Sequence, residues 1–301
     1  MDFIDKLKNI VKTGTVEENV SMKEYSSFKT GGNADYMVSP ANSDEIKLVI
    51  EEAKKENMPF IIIGNGSNIV VSDKGIRGVV IRIGSQMSEI TENNGEFTAQ
   101  AGAMLSAVSY KAYDTGYAGF EFASGIPGSF GGAVCMNAGA YGGEMKDVIK
   151  RVKVMDMEGN IKTLSNEEMD FGYRRSVVSE KGYIVLEGCI SLEKGDKEEI
   201  KALMADFNGR RRDKQPLNYP SAGSTFKRPE GYFAGKLIED CGLKGYAVGG
   251  AMVSDKHAGF VVNKGGATTQ DILDVIEHCQ KEVMDKFGIK LETEVKIIGE
   301  F

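Results

Sequence analysis

The sequence predicts an α+β protein in which a ligand-binding domain precedes a second, substrate-side domain. Three observations carry that expectation. Strand and helix units fill the first two thirds of the chain, and two glycine-rich loops, 64–68 and 119–143, interrupt them. A charged stretch, Glu193-Lys194-Gly195-Asp196-Lys197, then precedes a separate helix and sheet module. The expected segments are 1–28, an N-terminal helix and lead-in; 29–193, a ligand domain of two α+β subdomains split near 80; and 197–301, the substrate-binding domain.

At 301 residues with a formal charge of −7, the chain can bury a substantial core and lacks the basic excess of a nucleic-acid binder. Cys135, Cys189, Cys241 and Cys279 are widely spaced with no CxxC pair, so no metal site and no disulfide framework is expected. A reducing cytoplasm suits that usage. The opening MDFIDKLKNIV reads as an amphipathic helix, and no apolar run approaches the ~18 residues of a membrane span. No membrane partner is expected, and no oligomeric state is implied.

Asn42 and Ser43 can cap an expected helix with Ile46, Val49, Ile50 and Ala53 on one face, and Pro59 ends it. Phe60–Ile63 reads as a buried strand stopping at Gly64-Asn65-Gly66-Ser67-Asn68, with another strand at 79–83. Asn94-Gly95 predicts a type I′ hairpin, and Gly159 a second turn. Between them a helix runs over about 104–115, with Gly116 as its C′ residue. A strand is expected over 183–192, then a helix with Ile200, Leu203, Met204 and Phe207 on one face. The last helix starts near Thr268 with Asp271 at N3 and ends at Gly288, before a strand alternating Leu291, Thr293, Val295 and Ile297.

The stretch 119–143 holds eight glycines, so its backbone is the functional element: successive N–H groups in such loops form nests for anionic oxygens. The alternative is a turn that lets two layers pack closely. The Gly64–Asn68 loop lacks the third glycine of a Rossmann fingerprint, and with Gly125–Ala133 it suits a pyrophosphate held by backbone amides from both sides. Arg174 in Phe171-Gly172-Tyr173-Arg174-Arg175-Ser176 can clamp a carboxylate, or be an ordinary surface arginine. Ser224 in Ala222-Gly223-Ser224-Thr225-Phe226-Lys227-Arg228 places a hydroxyl beside cations, or belongs to a plain loop. Glu294 faces either a cleft or solvent. His257 is a candidate cleft residue, and His278 a surface one.

Taken together, Tyr25-Ser26-Ser27-Phe28-Lys29-Thr30-Gly31-Gly32, GNGSN, GIPGSFGGAVCMNAGAYG, FGYRRS, AGSTFKRP with YFAGKLIE, and LETEVKIIG resemble the UDP-N-acetylenolpyruvoylglucosamine reductase family, from about residue 20 onward. The short substrate domain resembles the type II members. The resemblance implies a vanillyl-alcohol-oxidase (PCMH) type FAD-binding domain, non-covalent FAD, NADPH as hydride donor, and reduction of UDP-N-acetylglucosamine enolpyruvate in peptidoglycan precursor synthesis. It implies Arg174, Ser224 and Glu294 as the catalytic trio. The FAD loops then comprise Gly64, Asn65, Gly66, Ser67, Asn68, Gly125, Ile126, Pro127, Gly128, Ser129, Gly131, Gly132, Ala133, Asn137 and Gly139. Lys214, Lys227, Arg228 and His257 are the expected substrate contacts. Some members carry asparagine after Phe-Lys, where this chain has Arg228. With no histidine before His257, a histidyl flavin bond cannot form in the flavin domain.

Overall fold

The computed structural model describes residues 2–301. Its compact units do not follow chain order. The first comprises 2–18, Tyr36–Asn65 and Gly78–Arg210; the second comprises Asn19–Asp35, Gly66–Arg77 and Arg211–Phe301.

In the first unit, the helix Ser43–Lys55 starts where Asn42 accepts the Glu45 N–H at 2.9 Å, and buries Ile46, Val49, Ile50 and Ala53 as the spacing predicts. The strand Phe60–Ile63 pairs parallel with Ile76–Arg82, Phe60 opposite Val79. A five-stranded antiparallel sheet follows, in the order Ile161–Ser165, Ile149–Met155, Ile184–Ser191, Glu96–Gln100, Ile90–Asn93. Its Asn93↔Glu96 hairpin turns through Asn94 and Gly95 at φ 50° and 86°, the two left-handed residues of a type I′ turn. The helix Leu105–Thr115 closes on Gly116 in the left-handed region.

The charged stretch at 193–197 is not a break. Glu193–Lys194 pairs with Tyr117–Ala118, and the helix Lys197–Lys214 belongs to the first unit as far as Arg210. That helix buries Ile200 and Met204 and stacks Phe207 on Tyr141 at 4.7 Å, while Leu203, expected on the same face, is 40 % exposed.

Glu45 fastens the amino-terminal segment. Its carboxylate accepts the N–H groups of Lys12, Thr13, Gly14 and Ala41 at 2.7–3.3 Å. Burial alone would push the carboxyl up, but these backbone donors outweigh it and hold the group below its ordinary pKa. A depressed folded pKa means stabilisation present above about pH 4.5 and lost as pH falls through the folded value. Glu45→Gln therefore lowers stability at pH 7 by about 1–3 kcal/mol, and the gap to the parent closes in acid; urea melts at pH 7 and pH 4 check it.

In the second unit a three-stranded antiparallel sheet, Ala247–Val248, Ala251–Val253 and Val261–Asn263, packs with the helices Ala234–Asp240 and Thr269–Phe287. The latter has the predicted capping box of Thr268 and Asp271 and a left-handed Gly288. Asp73 accepts the N–H groups of Thr269 and Gln270 in its first turn. Ile69–Val71 pairs parallel with Lys296–Ile298. That short strand is the only regular part of the expected closing strand: Leu291 and Val295 are buried, but Ile297 is 42 % exposed. Among the described residues no helix is long and apolar enough to cross a membrane, and no His/Cys/Asp/Glu group is placed to hold a metal ion.

Candidate active site

In the first unit the two glycine loops are joined directly. Asn65 Nδ2 donates to the Pro127 carbonyl at 2.6 Å, and a Cβ on Gly64 would lie 2.4 Å from Ser129 Oγ. The second loop is pinned in turn by Leu105 N–H to Gly128 O and Phe130 N–H to Ala103 O, at 3.0 and 2.7 Å. A Cβ on Gly131 would meet the Ala101 Cβ at 2.8 Å. Beside these loops lies a cavity of about 240 Å³, lined by Asn65 and Ser129 and further by Arg82, Gly84, Ser85 and Met104. Glycine backbone packed closely against its neighbours, beside a cavity lined by apolar side chains, serines, Asn65 and one guanidinium, suits a dinucleotide cofactor with a central diphosphate.

Asn137 and Gly139, expected at the cofactor, have structural work. Asn137 is buried with φ 44°; its amide donates to Glu144 Oε2 and the Gly172 carbonyl and accepts the Lys146 N–H, at 2.9, 3.0 and 2.9 Å. Three hydrogen bonds thereby fix its side chain, and what it holds is the Gly172 turn two residues before Arg174. Gly139 pairs with Glu144 in a short hairpin, where a Cβ would sit 2.5 Å from Gly143 O.

The Gly172–Arg175 turn separates the twin arginines. Arg175 pairs with Asp170 and Glu180, whereas half-buried Arg174 has φ 55°, a left-handed conformation that costs a non-glycine residue about 1–2 kcal/mol. Strain of that kind, held by a turn closed at both ends, aims the residue's own side chain. The Arg174 guanidinium lies 5.2 Å from the Tyr173 ring centroid.

In the second unit Gly66 (φ 67°) lies so close to Tyr25 O that a Cβ would stand 1.8 Å away, and its carbonyl accepts the Ser27 N–H at 3.1 Å. Asn68 donates to the Glu294 carbonyl at 3.2 Å and accepts the Lys296 N–H at 2.9 Å. Ser224 is exposed and follows Gly223 at φ 74°. The next residue, Thr225, is fully buried, and all its polar groups are engaged: N–H to Gly259 O at 2.8 Å, Oγ1 from Val261 N–H at 2.9 Å, O from Glu294 N–H at 2.8 Å. Lys227 N–H to Glu292 O at 2.8 Å extends this pairing around the Phe226↔Thr293 bridge. The local ladder therefore fixes Ser224, Lys227 and Glu294 in one frame, although no regular strand is present.

Of the expected substrate contacts, Lys227 pairs with Glu292 at 3.1 Å, and Arg228 lies 4.0 Å from the Phe233 ring centroid with its Nε on the Tyr232 carbonyl. Lys214 is exposed in the last turn of its helix. His257 joins the frame indirectly: its Nδ1 accepts the Gly259 N–H at 3.1 Å, and Gly259 O holds Thr225. Burial pushes the His257 imidazole below its ordinary pKa. Because the folded value is depressed, the stabilisation is present at neutral pH and is lost as pH falls through the folded pKa, when Nδ1 gains a proton and ceases to accept. An NMR titration of His257 is expected to show a midpoint below 6.5, with melting temperature falling over the same range. Thr225 and Arg82 escaped the sequence reading. Arg82 had a signal, as a cation ending an apolar strand just before Gly84.

Residues 34–165 match the family model for an FAD binding domain. These residues therefore form an FAD-binding domain, and the class defined is a flavin-dependent oxidoreductase with FAD as its cofactor. Residues 215–298 match the model described as UDP-N-acetylenolpyruvoylglucosamine reductase, C-terminal domain. The reductase of that name from Caldanaerobacter subterraneus subsp. tengcongensis is 55 % identical over 298 residues, covering 99 % of this chain and 98 % of that protein. The one from Clostridioides difficile is 53 % identical over 299 residues, covering 99 % and 98 %. The crystal structure of the Thermus caldophilus reductase superposes with a TM-score of 0.81 at 34 % identity, covering 94 % of this chain and 99 % of that one. The chain belongs to the UDP-N-acetylenolpyruvoylglucosamine reductase family.

Proposed function

We propose that Arg174, Ser224 and Glu294 carry the substrate half-reaction of this family, and that the Thr225 frame is what holds two of them in register. The reaction is the NADPH-dependent, FAD-mediated reduction of UDP-N-acetylglucosamine enolpyruvate to UDP-N-acetylmuramate, a step of peptidoglycan precursor synthesis. Bound FAD supplies the relay that takes a hydride from NADPH and passes it to C3 of the enolpyruvyl ether. Negative charge then develops at C2 and the substrate carboxylate. The Arg174 guanidinium, pre-aimed by its strained turn, is suited to stabilise that charge. Ser224 Oγ delivers the proton to C2, which is basic enough as an enolate carbon to take it from a hydroxyl. Glu294 orients or polarises the reacting group, and a protonated carboxyl suits it, since an ionised one would repel the enolate.

The cofactor is held non-covalently by backbone groups of Gly64–Asn68 and Gly125–Ala133, with Asn65 and Ser129 shaping the junction. Lys214, Lys227, Arg228 and His257 are the proposed contacts to the nucleotide sugar. Both substrates are small molecules of the cytoplasm, which is the proposed compartment. The observation that carries the catalytic assignment is the Glu294 N–H to Thr225 O bond, one residue from Ser224. The test is NADPH oxidation by the purified yellow protein. It should require the enolpyruvyl UDP-sugar; oxidation indifferent to that substrate would defeat the reading.

A further inference from the structure

We propose that Asn68 is a positioning residue for Glu294: its side-chain amide fixes the peptide that aims the Glu294 carboxyl, so this side chain serves the substrate half-reaction and not the grip on the cofactor. The inference rests on the catalytic reading of Glu294 above. Asn68, Thr225 and Glu294 all belong to the second unit.

Glu294 lies where regular pairing gives out. The strand Lys296–Ile298 pairs with Ile69–Val71 in the register Lys296↔Ile69, and the Lys296 N–H to the Asn68 backbone carbonyl, at 2.9 Å, extends that ladder by one bond. On the other side the Phe226↔Thr293 bridge is a single pair. Between the two the chain bends at Val295, and half-buried Glu294 is part of no strand. Because each peptide unit is planar, the direction of a side chain follows from the planes of the two peptides that flank it. Thr225 O holds the first of them through the Glu294 N–H at 2.8 Å, and Asn68 Nδ2 holds the second through the Glu294 carbonyl at 3.2 Å. With both planes held, the φ and ψ of Glu294 are held as well.

The two supports differ in kind. Thr225 acts through its backbone, which no substitution removes, whereas Asn68 acts through a side chain. A carbonyl only accepts, so it calls for a donor here, and a carboxylate in the same place would set oxygen against oxygen. Asn65 of the same loop likewise directs its amide to a carbonyl, that of Pro127. The loop thus offers a ligand its backbone, while its asparagines tether neighbouring segments.

The experiment is a double-mutant cycle on the flavin-loaded protein: parent, Asn68→Ala, Glu294→Gln and the two together, followed by stopped-flow through reduction by NADPH and reoxidation by the enolpyruvyl UDP-sugar. Asn68→Ala is expected to slow reoxidation by about 10–100-fold, the scale on which a displaced reacting group costs rate, and to leave flavin reduction and FAD affinity as in the parent. Asn68→Asp, which keeps the shape and loses the donor, behaves in the same way. In the Glu294→Gln background the alanine costs little further, because Asn68 acts through Glu294. Losses that multiply in the double variant make Asn68 an independent structural support and overturn the proposal. Reoxidation of Asn68→Ala at the parent rate overturns it too, whether or not FAD affinity has fallen. Should Asn68→Ala lose its melting transition, Asn68→Ser, with a hydroxyl donor on a shorter stem, goes through the same cycle under the same criteria. Glu294→Gln reoxidising at the parent rate instead defeats the catalytic reading on which the proposal stands.

Discussion

Replacing Ser224 by alanine lowers turnover by about 10²–10⁴-fold while flavin reduction by NADPH proceeds at the parent rate, as expected for a positioned proton donor. The split is expected because Ser224 is exposed and the surrounding frame does not depend on its hydroxyl. The hydrogen bonds that tie the local backbone together run through Thr225, Lys227, Glu292 and Glu294. Alanine therefore removes one oxygen and leaves the frame standing. Stopped-flow spectroscopy of the two half-reactions is the measurement: bleaching near 450 nm by NADPH reports the first, and return of the absorbance on adding the UDP-sugar reports the second. If both halves slow equally, Ser224 is structural and the assignment of the proton donor is wrong.

Gly66→Ala is expected to remove FAD binding and to destabilise the protein by about 2–4 kcal/mol. Two costs add at this position. Its φ of 67° lies where an L side chain is strained, and the new Cβ would stand 1.8 Å from the Tyr25 carbonyl, which is backbone and cannot rotate away. Relief requires the loop or the Tyr25 segment to move, and Ser27 N–H is bonded to the Gly66 carbonyl. A contrasting variant separates this from a general glycine effect. Gly209 lies within the helix Lys197–Lys214 with nothing inside 4 Å of its missing Cβ, so Gly209→Ala should stabilise by about 0.5–1 kcal/mol. Thermal melts and flavin retention on a desalting column read both. A Gly66→Ala protein that stays yellow and melts like the parent would show that the loop adjusts freely.

Much of the local structure was legible because its causes are local. Asn42, Gly116 and the Thr268–Asp271 box act within one helical turn, and Asn94-Gly95 fixes a hairpin through the φ values of two residues. The pairing of 69–71 with 296–298 was not legible, since no spacing rule connects segments more than two hundred residues apart. For the same reason the charged stretch at 193–197 resembled a boundary: composition reports solvation, and these residues are solvated on the edge of a strand pair. At the site, motif resemblance supplied Arg174, Ser224 and Glu294, each of which local evidence left open. It could not supply Thr225, whose importance lies in three hydrogen bonds and not in its type. Nor did it reveal that the Asn137 amide makes three hydrogen bonds within the protein.

The interleaving of the second unit also sets an order on biosynthesis. Residues 66–77 leave the ribosome early, yet the partners of Ile69–Val71 are Lys296–Ile298 and the helix that Asp73 caps begins at Thr269. At about 5–20 residues per second those early segments wait roughly 10–45 s for their counterparts. Throughout that interval Val70 and Phe28, both fully buried in the finished protein, have no completed core to enter. A nascent chain of this enzyme therefore exposes apolar surface for most of its own translation, and the Glu294 N–H that donates to the Thr225 carbonyl is among the last atoms to be made.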